Sequence, residues 1–121
     1  MTSLEQVQKA IQDFIKAGDN NDITALEVVL HPQFQNIQDG FFHEKGIYIF
    51  SKEDYKKLVE TKQFGGSART IDFVTINIAG NIAQATLRLE SEFLNFDSTV
   101  VLCKPADRWM VIHNIPSIKR K

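Results

Sequence analysis

Three histidines, one cysteine and a scatter of carboxylates are the side chains in this sequence equipped for catalysis. His113 is the strongest candidate. It lies in WMVIHNIP, Trp109 to Pro116, an apolar run that reads as a β-strand. Alternation puts Trp109, Val111, His113 and Ile115 on one face and Met110, Ile112 and Asn114 on the other. An imidazole with a pKa of about 6.5 can serve as general acid or base at cellular pH, with Asp97 or Asp39 as partner if the fold brings either close. The plainer alternative is a hydrogen-bonded core histidine.

The other candidates read as structural. His31 ends a helical segment just before Pro32, where it would satisfy last-turn carbonyls. His43-Glu44 falls in DGFFHEKG, a hairpin-loop signal, and without a second histidine four residues on it is not a zinc motif. Phe41 and Phe42 in the same loop would either rim a pocket mouth or bury themselves in a dimer partner. Cys103 is the only cysteine, so it forms no intrachain disulfide and supports no cysteine-based metal site. Its apolar run STVVLCK suggests a small core residue rather than a thiolate. No Gly-rich phosphate loop, metal-ligand cluster or Ser-His-Asp signature is present, so neither a metal nor a cofactor is expected.

The elements that must position these residues fall into two halves. Leu4, Val7, Ile11, Phe14 and Ile15 recur at helix spacing, after two overlapping capping-box matches at Thr2/Glu5 and Ser3/Gln6. Asp22 can cap a short second helix through Ile23, Leu26 and Val29 that stops at His31-Pro32. A third starts at Ser51, buries Tyr55, Leu58 and Val59, and ends at Gly65-Gly66. Phe34 to Gln38 and Gly46 to Phe50 are short strand candidates. The second half reads as long strands over Thr70–Ala79, Ile82–Leu94, Phe96–Lys104 and Arg108–Ile115, with Gly80-Asn81 as a hairpin turn. In IAQATLRLE, Ala83, Ala85, Leu87 and Leu89 face one way and Gln84, Thr86, Arg88 and Glu90 the other. One dry and one wet face imply helices packed on one side of a curved antiparallel sheet, an α+β fold.

At 121 residues the chain is a single domain by length, 1–121, with the basic run Lys119-Arg120-Lys121 in a disordered tail from residue 117. A formal net charge of −1 gives no field to attract nucleic acid or a lipid surface. No signal peptide or membrane-length apolar run appears, which makes cytoplasmic residence the default.

Element order and three local motifs carry a family resemblance: Leu30-His31-Pro32, the helix start Ser51 to Tyr55, and the closing Trp109 to His113. The chain resembles the NTF2-like superfamily, a cone-shaped α+β fold shared by ketosteroid isomerase and scytalone dehydratase, and within it the group labelled "putative lumazine-binding". The closing motif of that group commonly has Asn-Lys where this chain has His113-Asn114. The resemblance implies three helices on a curved mixed or antiparallel sheet of about six strands, with a ligand cavity between them. By pattern, Phe14, Phe34, Tyr55, Leu87, Leu89, Phe96, Trp109 and His113 would line it; the alternative is that they fill the core. The inward positions among Ala83 to Ser91 carry no acid, and Asp72 alternates with Ile71 and Phe73 toward the wet side, so isomerase chemistry is not supported residue by residue.

Two functional readings follow. The first is a binding protein for a small apolar or aromatic ligand in the cone. The second is a dehydratase, isomerase or hydrolase with His113 as general acid or base. Under either, the resemblance implies a homodimer through the outer sheet face, where Gln84, Thr86, Arg88 and Glu90 sit among Ile82 and Val101.

Overall fold

A computed structural model describes residues 1–41 and 44–121. Phe42, His43 and the side chains of Phe41 and Glu44 lie outside the described residues, and with them the expectations for that loop. In chain order the elements are α1 (Ser3–Asp19), α2 (Ile23–Val29), β1 (Leu30–Phe41), β2 (Glu44–Ser51), α3 (Lys52–Glu60), β3 (Thr70–Ala79), β4 (Ile82–Glu90), β5 (Leu94–Cys103) and β6 (Met110–Arg120). The described strands form one sheet in the order β2-β1-β6-β5-β4-β3. All neighbours are antiparallel except β1 and β6, which run parallel. The helices cover its inner face, giving the α+β architecture.

Each helix starts where its capping chemistry directs. Thr2 and Glu5 form a reciprocal capping box on α1, each satisfying the other's backbone N–H at 3.2 Å. Asp22 accepts from the Ala25 N–H, and Ser51 from that of Asp54. Val7, Ile11, Phe14 and Ile15 of α1 then bury against Leu26, Leu30, Phe34, Val59, Leu102 and Val111. Full burial of each of the larger side chains stabilises the fold by about 1.5–3 kcal/mol. Leu4, expected on this face, is exposed at the helix start.

Four boundaries differ from the sequence reading. β1 begins at Leu30 rather than Phe34, so His31 lies in a strand, where its Nδ1 accepts from the Gln33 N–H. The carbonyls at the end of α2 are served by Lys52 instead, whose Nζ donates to the oxygens of Glu27 and Leu30. α3 ends at Glu60 because Thr61 turns back onto the Lys57 carbonyl and Lys62 takes a positive φ. β4 ends at Glu90, where Ser91 closes a turn onto Leu94 with no glycine or proline to announce it. Finally, residues 117–120 extend β6 instead of forming a disordered tail: Ser117, Ile118, Lys119 and Arg120 pair with β5. Lys121 closes the end through an ion pair with Glu90 at 2.6 Å.

The largest consequence for the site is a β-bulge. On β6 the pairing with β5 runs Val101↔His113 and then Leu102↔Val111, leaving Ile112 as the extra residue. Below it, Trp109 and Val111 point into the core. Beyond it the alternation is reversed, so Asn114 and Pro116 point inward while His113 and Ile115 point outward.

Candidate functional site

Cross-strand register sorts the inner sheet face into rows. Ala83, Leu102 and Val111 form a row that α1 and α2 cover completely. Toward the other end of β6, successive rows open into a cavity of about 320 Å³ between the sheet, α1 and α3. The first open row joins Asn36 of β1 to Asn114 of β6, which are Cα partners. Next, Pro116 pairs with Ser98, and then Ile118 pairs with Phe96, which in turn faces Leu89. Ile15 and Gly18 of α1 and Tyr55 and Val59 of α3 form the opposite wall, with Phe64 and Phe93 toward the rim. Phe93 is 66% exposed.

The walls are aromatic and braced from behind. Tyr55 sits 5.3 Å from Phe34, 6.2 Å from Phe14 and 5.8 Å from Phe64 between ring centroids. These separations suit edge and offset contacts, which hold the rings in place. The 61–66 segment is pinned by Asn21, whose Nδ2 donates to the carbonyls of Val59 and Phe64. Gly65 packs so tightly on α1 that a Cβ there would lie 2.0 Å from the Gly18 carbonyl oxygen, and its φ of +77° also favours glycine.

Besides Ser67, Ser91, Ser98 and Arg120 along its wall, the cavity's polar groups form two clusters. One is Arg69, whose Nε donates to Asp19 Oδ1 at 2.6 Å while its backbone N–H donates to Oδ2 at 3.0 Å. Its guanidinium lies 5.0 Å from the centre of the Phe96 ring. Gly18 leaves room for it, since a Cβ there would meet the guanidinium at 3.3 Å. The other cluster is a ladder of three amides. Asn114 donates to Asn36 at 2.8 Å, Asn36 to Gln38 at 2.7 Å, and Gln38 to the Gly40 carbonyl at 2.8 Å. Asn36 and Gln38 are 1% and 2% exposed, so these bonds form in a dry environment where amide groups must be paired.

Burial pushes the Tyr55 hydroxyl above the usual phenol range; the Arg69 guanidinium opposes that shift and Asp19 reinforces it. Tyr55 therefore enters the cavity as a neutral hydroxyl. Among the described residues, no carboxylate or imidazole lines the cavity, and no group of side chains could hold a metal ion.

Of the residues expected at the site, Tyr55, Leu89 and Phe96 line the cavity. Phe14, Phe34 and Leu87 are buried in the core behind it. Trp109 is buried at the far end, beyond the Val111 row, and its Nε1 has no hydrogen-bond partner among the described residues. His113 is half-buried on the outer face, between Gln35 of β1 and Val101 of β5, because the Ile112 bulge turns it there. Its candidate partners Asp97 and Asp39 both pair with Ser117. That is four residues along the strand, roughly 13 Å by strand rise. The acid/base role assigned to His113 therefore has neither its cavity nor its carboxylate. Asp72 is exposed on the outer face opposite Arg88, and burial pushes the Cys103 thiol up, away from thiolate character.

The three amides were missed, although a signal for two of them exists. Once Phe34 is taken as inward, strict alternation in FQNIQ also turns Asn36 and Gln38 inward. Asn114 carries no such signal, because nothing local in the sequence marks the bulge.

Solved structures with this architecture cover essentially the whole chain. An NTF2-like protein from Cytophaga hutchinsonii superposes with a TM-score of 0.82 at 20% identity, over 97% of this chain and 98% of that one. An NTF-2 like protein of unknown function from Silicibacter pomeroyi gives 0.81 at 14% identity, with 100% of both chains covered. A cystatin-like fold protein from Burkholderia xenovorans gives 0.70 at 19%, over 94% and 89% of the two chains. No curated protein matches the chain. Residues 2–115 match the family described as "putative lumazine-binding". With nearly the whole chain matched and the helices, sheet and cavity in place, this protein belongs to that family and has the NTF2-like fold.

Proposed function

We propose that this protein binds a small, planar, largely apolar molecule in the cavity between the sheet and helices α1 and α3. The observation that carries the reading is the lining itself: aromatic and aliphatic walls fixed from behind, interrupted by the amide ladder, Arg69 and a few serines. A volume of about 320 Å³ lies at the small end of ligand pockets, suited to a molecule of two or three fused rings. The family description, which names lumazine, a fused bicyclic ring, is consistent in size and shape. Binding rather than catalysis is favoured because the cavity's titratable side chains are a neutral phenol, an arginine already paired with Asp19, and Arg120 at the exposed rim.

Titration with the neutral fluorophore N-phenyl-1-naphthylamine tests the reading. Saturable enhancement at micromolar concentration is expected. Ser98→Phe, which fills the cavity beside Pro116, should weaken it at least tenfold while the fold persists by circular dichroism. Equal enhancement in both proteins would place the dye elsewhere and sink the reading.

The same proposal includes a homodimer through the outer sheet face. Its support is the exposed β-branched set Ile47, Ile49, Val74, Ile82 and Ile115 on that face. Sedimentation equilibrium at micromolar concentration should give twice the chain mass; a monomer would contradict it.

A further inference from the structure

The amide ladder has a direction, and the direction selects a ligand. Gly40 offers a carbonyl oxygen, which can only accept, so Gln38 must turn its NH2 toward it. Gln38 Oε1 then faces Asn36, which must present its own NH2. Asn36 Oδ1 in turn faces Asn114, which again must present NH2. One backbone carbonyl thus fixes the orientation of three side chains. The ladder ends on Asn114 Oδ1, to which no hydrogen bond from a described residue runs. Asn114 and Asn36 each keep one further N–H, since each nitrogen makes a single bond.

Asn114 lies on the cavity wall, so this unfilled acceptor beside unfilled donors is available to a ligand. An acceptor wants an N–H or O–H, and the neighbouring amide N–H groups want a carbonyl. The two together match the edge of a cyclic amide, –NH–C(=O)–. Charge points the same way. Arg69 is compensated by Asp19, and Arg120 lies exposed at the rim, so the inner cavity offers neither an unpaired cation for an anion nor a carboxylate for a cation.

Building on the cavity-binding reading, we infer that the ligand is a neutral planar lactam whose N–H donates to Asn114 Oδ1 and whose carbonyl accepts from the amide N–H groups of Asn114 and Asn36. Asn114 is then the specificity-determining residue of the site, with Asn36, Gln38 and the Gly40 carbonyl orienting it. Chains of amide hydrogen bonds polarise one another, which strengthens the terminal acceptor toward a ligand donor.

The test uses quinazolin-4(3H)-one, its 3-methyl derivative and 4-methoxyquinazoline, displacing N-phenyl-1-naphthylamine from the wild-type protein. The two methylated compounds are isomers that place the methyl on nitrogen or on oxygen, and both lack the donor. The lactam should displace the dye at least tenfold more tightly than either, because a buried acceptor left unpaired is penalised. In Asn114→Leu the three should fall within about twofold of one another, since the discriminating acceptor is gone. If that variant does not fold, the wild-type comparison alone decides. Equal displacement by all three, or by none while the dye still binds, would overturn the lactam inference and leave the cavity reading intact. Failure of the dye itself to bind would overturn both.

Discussion

At the scale of single residues, what distinguishes this cavity is how its polar groups are compensated. Arg69 and Asp19 are both largely buried, at 15% and 9% side-chain exposure, and hold each other at 2.6 Å. Removing one partner strands the other charge beside the aromatic wall. Asp19→Asn is therefore expected to lower stability by about 2–4 kcal/mol, somewhat reduced from the fully buried case because water reaches the pair. Urea denaturation would show this as a lower midpoint with an unchanged slope. Tyr55 yields a pH prediction. Its folded pKa lies above that of the unfolded chain, near 10, because burial disfavours the phenolate. A group with a raised folded pKa contributes stability that is fully present below the unfolded value. That stability is lost as the pH climbs through the folded one. The wild-type urea midpoint should thus fall more steeply between pH 9.5 and 11 than that of Tyr55→Phe, measured side by side. Parallel profiles would mean that the hydroxyl is solvated.

At the scale of elements, the Ile112 bulge decides which chemistry faces the cavity. The same sequence in regular alternation would carry His113 into the cavity and Asn114 out to the surface. Deleting Ile112 would remove the bulge without reversing the phase, because Leu102↔Val111 and Val101↔His113 are already consecutive pairs. His113 then stays outward and Asn114 inward, so the end of the amide ladder is kept. The deletion is expected to cost no more than about 3 kcal/mol, the range of an ordinary substitution. Thermal unfolding should still show one cooperative transition; its absence would mean that the bulge itself holds the strand in place. Lys52 is a quieter element-scale case. Its ammonium gathers the carbonyls of Glu27 and Leu30 at the α2 terminus, so Lys52→Met should cost about 1–2 kcal/mol by the same assay.

At the scale of the whole molecule, helices, long strands and inner face were legible because they rest on periodicity, which survives in any single sequence. Val7, Ile11 and Phe14 announce α1, and Ala83, Leu87 and Leu89 announce the inner face of β4. The site was legible only where it follows from the same periodicity, as at Tyr55, Leu89 and Phe96. It was illegible where one extra residue reverses the phase, as between His113 and Asn114, and where a serine closes a turn unaided, as at Ser91. Lys52 was hidden for a different reason: its carbonyl partners lie 22 and 25 residues earlier, a contact that no local pattern encodes.

The parallel pairing of β1 with β6 has a kinetic side. Asn36 and Asn114 are 78 residues apart in the chain, and their contact closes only when the last strand docks beside the first. Contacts of such separation form late and slowly, because the loop must lose its freedom before they contribute. As the chain leaves the ribosome, helices and hairpins can assemble while the ladder's terminal acceptor has not yet been delivered. Completion of the cavity's polar wall is then a late event in the folding of this sheet. Under the binding reading proposed above, a ligand's protective effect should appear as slower unfolding, with the rate of folding left almost unchanged.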